Sequence, residues 1–266
     1  MTTGNSEAVK LNGESMKYND THITLQGKGG VGKSHITSLL AQAIWAIFGI
    51  RPQGIDTDPV NKTLMHFPAL QARGLEILNQ DNQINSRQFD TMVEWLLEHD
   101  GPSVIDNGAT SFIPATGYLA ETGAIDVLNA AGRRVFIHTV LVGGQAMEDT
   151  IDGLTALLAS TSAPIVVWEN EHFGPVEQDG RRFRDSIVYH ENRERIAGIV
   201  TLHRPNADLA GRDIAELSIK GQTFAEALTS AEWGTMPKHR LQMVWANYLQ
   251  QLKPILTQGL LEGLVA

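Results

Sequence analysis

The chain of 266 residues contains no cysteine. That absence excludes a disulfide scaffold, a thiol nucleophile and a cysteine-ligated zinc site. No run of about 18 apolar residues occurs, so no segment reads as membrane-spanning and membrane contact is not expected. The opening MTTGNSEAVKLNGESMKYND lacks the apolar middle of a signal peptide, and the cytoplasm is the expected address. Positive charge is also scarce: 21 lysines and arginines face 30 acidic residues, a formal net charge of −9. Nucleic-acid binders need a positive field to displace counterions, so DNA is a disfavoured partner. Arg181, Arg182 and Arg184 form the densest basic cluster, and read most simply as a solvated loop edge.

What is present points to one packed domain. Hydrophobic residues make up 42% and charged residues 19%, which argues against extensive disorder. Residues 1–19 read as a mobile tail, within which Met16 offers an alternative start, and residues 20–266 as a single nucleotide-binding domain with a helical C-terminal part. Short apolar strands are predicted at Thr21–Leu25, Gln53–Ile55, 103–107, 134–140, 164–170 and 197–202. Helices are predicted over Ser34–Phe48, Arg87–Glu98, 121–132, Gln145–Ser160, 182–195, Asp213–Ser218, Thr223–Ser230 and from Pro237 to about Gly263. Strands that alternate with helices imply a three-layer α/β fold, a mostly parallel sheet covered on both faces. His138, inside an apolar strand, reads as a hydrogen-bonded core histidine.

The most specific signal lies between the first strand and first helix. Gly27 to Ser34 packs four glycines and two lysines into eight residues and spells G-x-x-x-x-G-K-S. Such a loop turns successive backbone N–H groups around phosphate oxygens and presents the positive end of the next helix to them. Lys33 then neutralises the β- and γ-phosphates, and the Ser34 hydroxyl ligates magnesium. Carboxylates at neighbouring strand ends would complete a nucleotide–magnesium site, because ligands gather at the carboxyl edge of a parallel sheet. Asp56 and Asp58 in "IDTDP" and Asp106 in "SVIDNG" stand at such ends.

The run K-G-G-V-G-K-S resembles the deviant phosphate loop of the ParA/MinD-like ATPases. The resemblance implies that Lys28 crosses a dimer interface to the partner's nucleotide, in the manner of an arginine finger. It makes Asp58 the switch residue that positions the attacking water, so the expected catalytic residues are Lys28, Lys33 and Asp58. It makes Asp106 an outer-sphere magnesium partner, with Asp56 supporting the switch or the metal shell beside Ser34. The expected nucleotide contacts are Gly27, Lys28, Gly29, Gly30, Val31, Gly32, Lys33, Ser34 and His35, with Asn170 and Pro205 framing adenine. ATP is favoured over GTP, since no N/T-K-x-D guanine motif occurs in a suitable place. The chain departs from the family where D-T-D-P-V-N lacks a Gln-Gly pair and where Asn107-Gly108-Ala109 replaces Thr-Pro; both changes touch switch segments.

Taken together, "LQGKGGVGKS", "IDTDPVN", "INSRQFD", "VIDNGATSF", "IHTVLVGGQA", "VVWEN" and "GRDI" resemble the TraL-type branch associated with plasmid conjugal transfer. The expectation is an ATP-hydrolysing dimerisation switch that uses ATP/ADP and Mg2+, forms a nucleotide-dependent homodimer, and engages another conjugation or partition protein. Two other readings stand beside it: a non-hydrolysing nucleotide-binding adaptor, and an ATP-dependent ligase or kinase of the dethiobiotin-synthetase-like kind.

Overall fold

A computed structural model describes residues 9–11, 14–16 and 18–258 of the chain. Two short strands, β1 (Val9–Leu11) and β2 (Glu14–Met16), pair antiparallel within the segment expected as a tail. Tyr18 is buried and stacks on Phe48 at a ring separation of 3.9 Å. The rest of the predicted tail, and the predicted helical residues beyond 258, lie outside the described residues.

The body alternates strands and helices. In chain order these are β3 (Thr21–Thr24), α1 (Lys33–Phe48), β4 (Gln53–Asp56), β5 (Arg73–Gly74), α2 (Gln88–Glu98), β6 (Ser103–Asp106), α3 (Phe112–Thr122), α4 (Ala124–Ala130), β7 (Val135–Val142) and α5 (Met147–Ser160). Then follow β8 (Ile165–Asn170), the short β9 (Glu177–Gln178) and β10 (Arg181–Arg182), α6 (Ile187–Glu191), β11 (Ile196–Leu202), α7 (Ala210–Ile219), α8 (Phe224–Thr229) and α9 (Thr235–Thr257). Seven strands form one sheet in the order β11-β8-β7-β3-β6-β4-β5, and every neighbouring pair is parallel.

Helices cover both faces, which is why the strands read as continuous apolar runs. Along β7, Phe136, Val140 and Val142 join the core beneath α1 and α7–α9, while Val135, Ile137 and Leu141 join the core beneath α2–α5. That alternation is the period of two that a strand imposes.

Two predicted helices divide. The expected helix over 121–132 covers only the last two residues of α3 and then α4, the two being broken at Gly123 with a left-handed φ of 64°. The rest of α3 is not predicted, because Pro114 and Gly117 interrupt its periodicity. Pro114 is tolerated because it sits in the first turn, where its missing N–H would have had no intrahelical partner. The expected helix over 182–195 is a 3₁₀ turn, the short α6 and a second 3₁₀ turn.

His138 is a hydrogen-bonded core residue, as its setting implied. Trp168 Nε1–H donates to His138 Nδ1 at 2.9 Å. An indole nitrogen is a donor only, so the His138 proton sits on Nε2, 3.0 Å from His22 Nδ1. His22 Nε2 then faces the Tyr18 hydroxyl at 3.0 Å. Burial pushes both imidazoles toward the neutral form, His138 to about 3.

Candidate functional site

The strand order reverses around β3, and ligands of open parallel sheets gather outside the strand ends at such a point. The loop after β3 runs to Lys33 at the start of α1. Gly30 (φ 74°) and Gly32 (φ 99°) hold left-handed conformations that only glycine adopts cheaply. Gly32 is doubly constrained: a β-carbon there would lie 2.9 Å from Asn170 Nδ2.

Lys33 is buried and its Nζ donates to the Lys28 carbonyl oxygen at 2.9 Å, so it folds back over the loop. Burial holds its ammonium below the usual range, and Asp106 and Asp58 pull the other way. Lys28 points elsewhere. Its Nζ meets Asp149 Oδ2 at 2.7 Å on the first turn of α5, and both side chains are exposed. Beneath it, the Gln26 amide donates to the Val140 and Thr150 carbonyls at 2.9 and 3.1 Å and accepts the Lys28 N–H.

Asp106 ends β6, in register with Thr24 of β3 and Asp56 of β4. Its Oδ1 accepts the Thr37 hydroxyl at 3.2 Å, whereas Oδ2 is buried with no partner among the described residues. Desolvation raises this carboxyl to about 7, with Ser34, Thr37 and Lys33 nearby pulling the other way. An orphaned acid oxygen beside the Ser34 hydroxyl fits a hydrated magnesium ion, which keeps several waters and few protein ligands. No cage of three or more acidic or histidine side chains forms among the described residues.

Asp56 serves its own loop first. Its oxygens accept the backbone N–H groups of Asp58 at 3.1 Å and Leu64 at 3.0 Å. Asp58 Oδ1 accepts those of Val60 and Asn61 at 2.8 and 3.0 Å. Asn107 braces the same region: it receives the Thr57 hydroxyl at 2.7 Å and donates to the Thr24 carbonyl at 3.1 Å. Gly108 leaves room for Asp58, since a β-carbon there would lie 2.8 Å from its carboxyl carbon. The Asn-Gly departure thus has a local reason.

Two cavities flank the loop. One, of about 540 Å³, is lined by Gly29, Lys33, Ser34, Asp58 and Thr110 among others. The second, of about 570 Å³, is lined by Asn170, His172, Pro205 and Arg212 among others. Gly30, Gly32 and His35 line both, so the loop is their common wall. The half-buried His35 imidazole is pushed down to about 4 by desolvation and by His172. Asn170 and Pro205 therefore do share a wall. The Asn170 amide, however, is already engaged: it donates to the Val31 carbonyl at 2.9 Å and accepts the His172 N–H at 3.2 Å. Gln26, Thr37, Gly108 and Asp149 escape a reading of the sequence, because each acts on a residue distant in the chain.

A parallel sheet wrapped by helices, with a two-lysine phosphate loop at its switch point, defines a P-loop protein of the ParA/MinD-like class. No family profile matches the chain. A protein named TraL from Escherichia coli is 39% identical over 234 residues, covering 87% of this chain and 96% of that protein. A second Escherichia coli TraL is 39% identical over 233 residues, with the same shares covered. The chain belongs to the TraL family. Among solved structures, the MinC:MinD cell division protein complex of Aquifex aeolicus aligns with a TM-score of 0.52 at 13% identity, over 88% of this chain and 96% of that one. At that identity the likeness is one of fold.

Proposed function

We propose that the protein is an ATP-driven dimerisation switch that serves plasmid conjugal transfer or maintenance. The observation that carries this reading is the division of labour between the two lysines. Lys33 lies over the loop where β- and γ-phosphates would sit, while Lys28 reaches outward to Asp149 and is accessible to a second subunit. The first cavity would take the triphosphate and the second the adenosine. Magnesium, held by Ser34 and through water by Asp106, would neutralise phosphate charge.

Hydrolysis in this reading is an in-line attack of water on the γ-phosphorus, with ADP as the leaving group. Asp58, on the wall of the phosphate cavity, orients that water. Lys28 of a second copy balances the charge that develops on the transferred group. Dimer formation would then complete the site, and loss of phosphate would let the subunits part. The family name and the sheet architecture support the reading, and the acidic net charge favours a protein partner over DNA.

One observation favours a non-hydrolysing adaptor instead: Asp58 is committed to two backbone N–H groups of its own loop. Solution mass by light scattering separates the two, with ADP and then with magnesium-ATP. The proteins are Asp58→Ala and the same protein also carrying Lys28→Ala. Mass doubling with ATP that disappears without Lys28 is expected. An unchanged mass alongside tight ATP binding would refute the switch.

A further inference from the structure

Lys28 is held at every polar group it has. Its ammonium meets Asp149 at 2.7 Å, its carbonyl oxygen accepts the Lys33 ammonium at 2.9 Å, and its N–H donates to Gln26 Oε1 at 3.3 Å. The first two holds use charged groups that phosphates or a second subunit would claim. The third comes from a neutral side chain buried out of their reach.

Gln26 follows β3 and is 1% exposed. Its amide nitrogen donates to the Val140 carbonyl of β7 at 2.9 Å and to the Thr150 carbonyl of α5 at 3.1 Å, which leaves Oε1 for the Lys28 N–H. These partners fix the amide in one orientation, since a carbonyl only accepts and a backbone N–H only donates. The helix is tied to the sheet at the same place: Thr150 is buried, and its hydroxyl oxygen accepts the Val142 N–H at 3.3 Å. Asp149 and Thr150, neighbours on α5, thus grip Lys28 at its two ends, one directly and the other through Gln26.

Gly153 makes the room that this glutamine occupies. It is buried inside α5, where glycine is an unfavourable choice for a helix. A β-carbon on it would lie 2.1 Å from Gln26 Oε1 and 2.8 Å from Cδ. Alanine there would drive the amide off its partners.

We propose that Gln26 is the positioning residue for Lys28: it registers the peptide of that lysine on α5, and so sets where the ammonium enters a second subunit's nucleotide site. In the switch reading, Lys33 leaves the Lys28 carbonyl for the phosphates and Asp149 releases Nζ. Gln26 is then the hold that stays. This role rests on the switch reading, and the experiment separates their failures.

Gln26→Met keeps the length of the side chain and removes its amide, whereas Gly153→Ala displaces the amide and removes nothing. Each is introduced into the Asp58→Ala protein, and light scattering over a concentration series with magnesium-ATP reads association. The dimer dissociation constant should rise about tenfold or more in both, as for a group moved off its target. ATP affinity should stay within about twofold, which shows that the variants are folded and the phosphate loop intact. Unchanged association would overturn the proposal. So would ATP affinity that falls in step with association, because Gln26 would then shape the loop for its own nucleotide. If the Asp58→Ala protein itself stays monomeric with ATP, the switch reading fails and this role fails with it.

Mixed subunits give a readout that a merely structural glutamine would not move. Gln26→Met with Asp58 intact should hydrolyse ATP about tenfold more slowly than the parent. Mixed equally with Asp58→Ala, it should recover to about a quarter of the parental rate per subunit, since about half the dimers are mixed and each holds one complete site. In those dimers the well-placed Lys28 of the Asp58→Ala subunit serves the nucleotide of the Gln26→Met subunit. A mixture that only averages the two separate rates would put the effect of Gln26 in its own site and overturn the proposal.

Discussion

Lys28 and Asp149, 121 residues apart, meet at 2.7 Å, so the second lysine of the phosphate loop is held within its own subunit. To serve a partner's nucleotide it must leave that carboxylate. Both side chains are about half exposed, and a surface pair of this kind contributes about 0–1 kcal/mol. Asp149→Asn should therefore leave thermal unfolding nearly unchanged. It should strengthen ATP-dependent association in an Asp58→Ala background, by up to about fivefold in the dimer dissociation constant. Light scattering over a concentration series reads this. Weaker association would mean that Asp149 aims the lysine at the partner rather than restraining it.

Gly108 gives a sharper steric test. A β-carbon there would meet the Asp58 carboxylate at 2.8–3.0 Å, and that carboxylate is pinned by Val60 and Asn61. Relief by a simple side-chain rotation would cost those bonds, so Gly108→Ala should displace Asp58 from the cavity wall. The expected outcome is ATP binding within about twofold of the parent with hydrolysis reduced by about tenfold or more, as for a misplaced orienting group. Steady-state phosphate release alongside equilibrium ATP titration measures both. Unchanged turnover would remove Asp58 from the chemistry.

The sheet, the phosphate loop and the acidic strand ends were readable from local pattern, because each is written in a few adjacent residues. Thr21–Ser34 contains its strand, its glycines and its helix start in one stretch. What adjacent residues cannot encode is what meets them from far along the chain. The grip of Asp149 on Lys28 and that of Asn170 on Val31 are tertiary facts. The hairpin at 177–182 was a different kind of omission: its Asp-Gly turn is a strong local signal, but two-residue strands fall below any periodicity window. Helix α3 was hidden by a proline that is harmless only because of where the helix begins.

The buried histidines set an acid limit on stability. His138 is neutral in the folded chain, held at about 3 by burial, against an ordinary value of 6.5. Its folded value is depressed, so the unfolded chain binds the extra proton. The stability it contributes is complete above pH 6.5 and is lost as pH falls toward 3. At pH 5 this imidazole alone costs on the order of 2 kcal/mol, and His22 shifts in the same direction. His138→Gln keeps an acceptor for Trp168 and a donor for His22 without a titrating group. Its unfolding temperature should fall less between pH 7 and pH 5 than that of the parent. Parallel pH profiles would show that other groups govern the acid limb.

Asp106 behaves in the opposite sense. Its carboxyl is raised to about 7 from 3.8, chiefly by desolvation, and one oxygen has no partner among the described residues. A raised carboxyl favours the protonated folded state, so its contribution is fully present below pH 3.8 and lost as pH climbs through 7. At pH 8 the nucleotide-free protein therefore carries a buried charge that Thr37 and Lys33 offset only in part, at a net cost on the order of 4 kcal/mol. Asp106→Asn, with the Ser34 hydroxyl able to accept its amide, should raise the unfolding temperature at pH 8 in chelator and change little at pH 4. The same variant should lose the magnesium dependence of ATP binding, which weakens by about tenfold or more once the outer-shell acid is gone. Thermal melts at the two pH values and ATP titrations with and without magnesium give both readouts. If Asp106→Asn instead lowers stability at pH 8 without nucleotide, the carboxylate is there to balance Lys33, and the metal role fails.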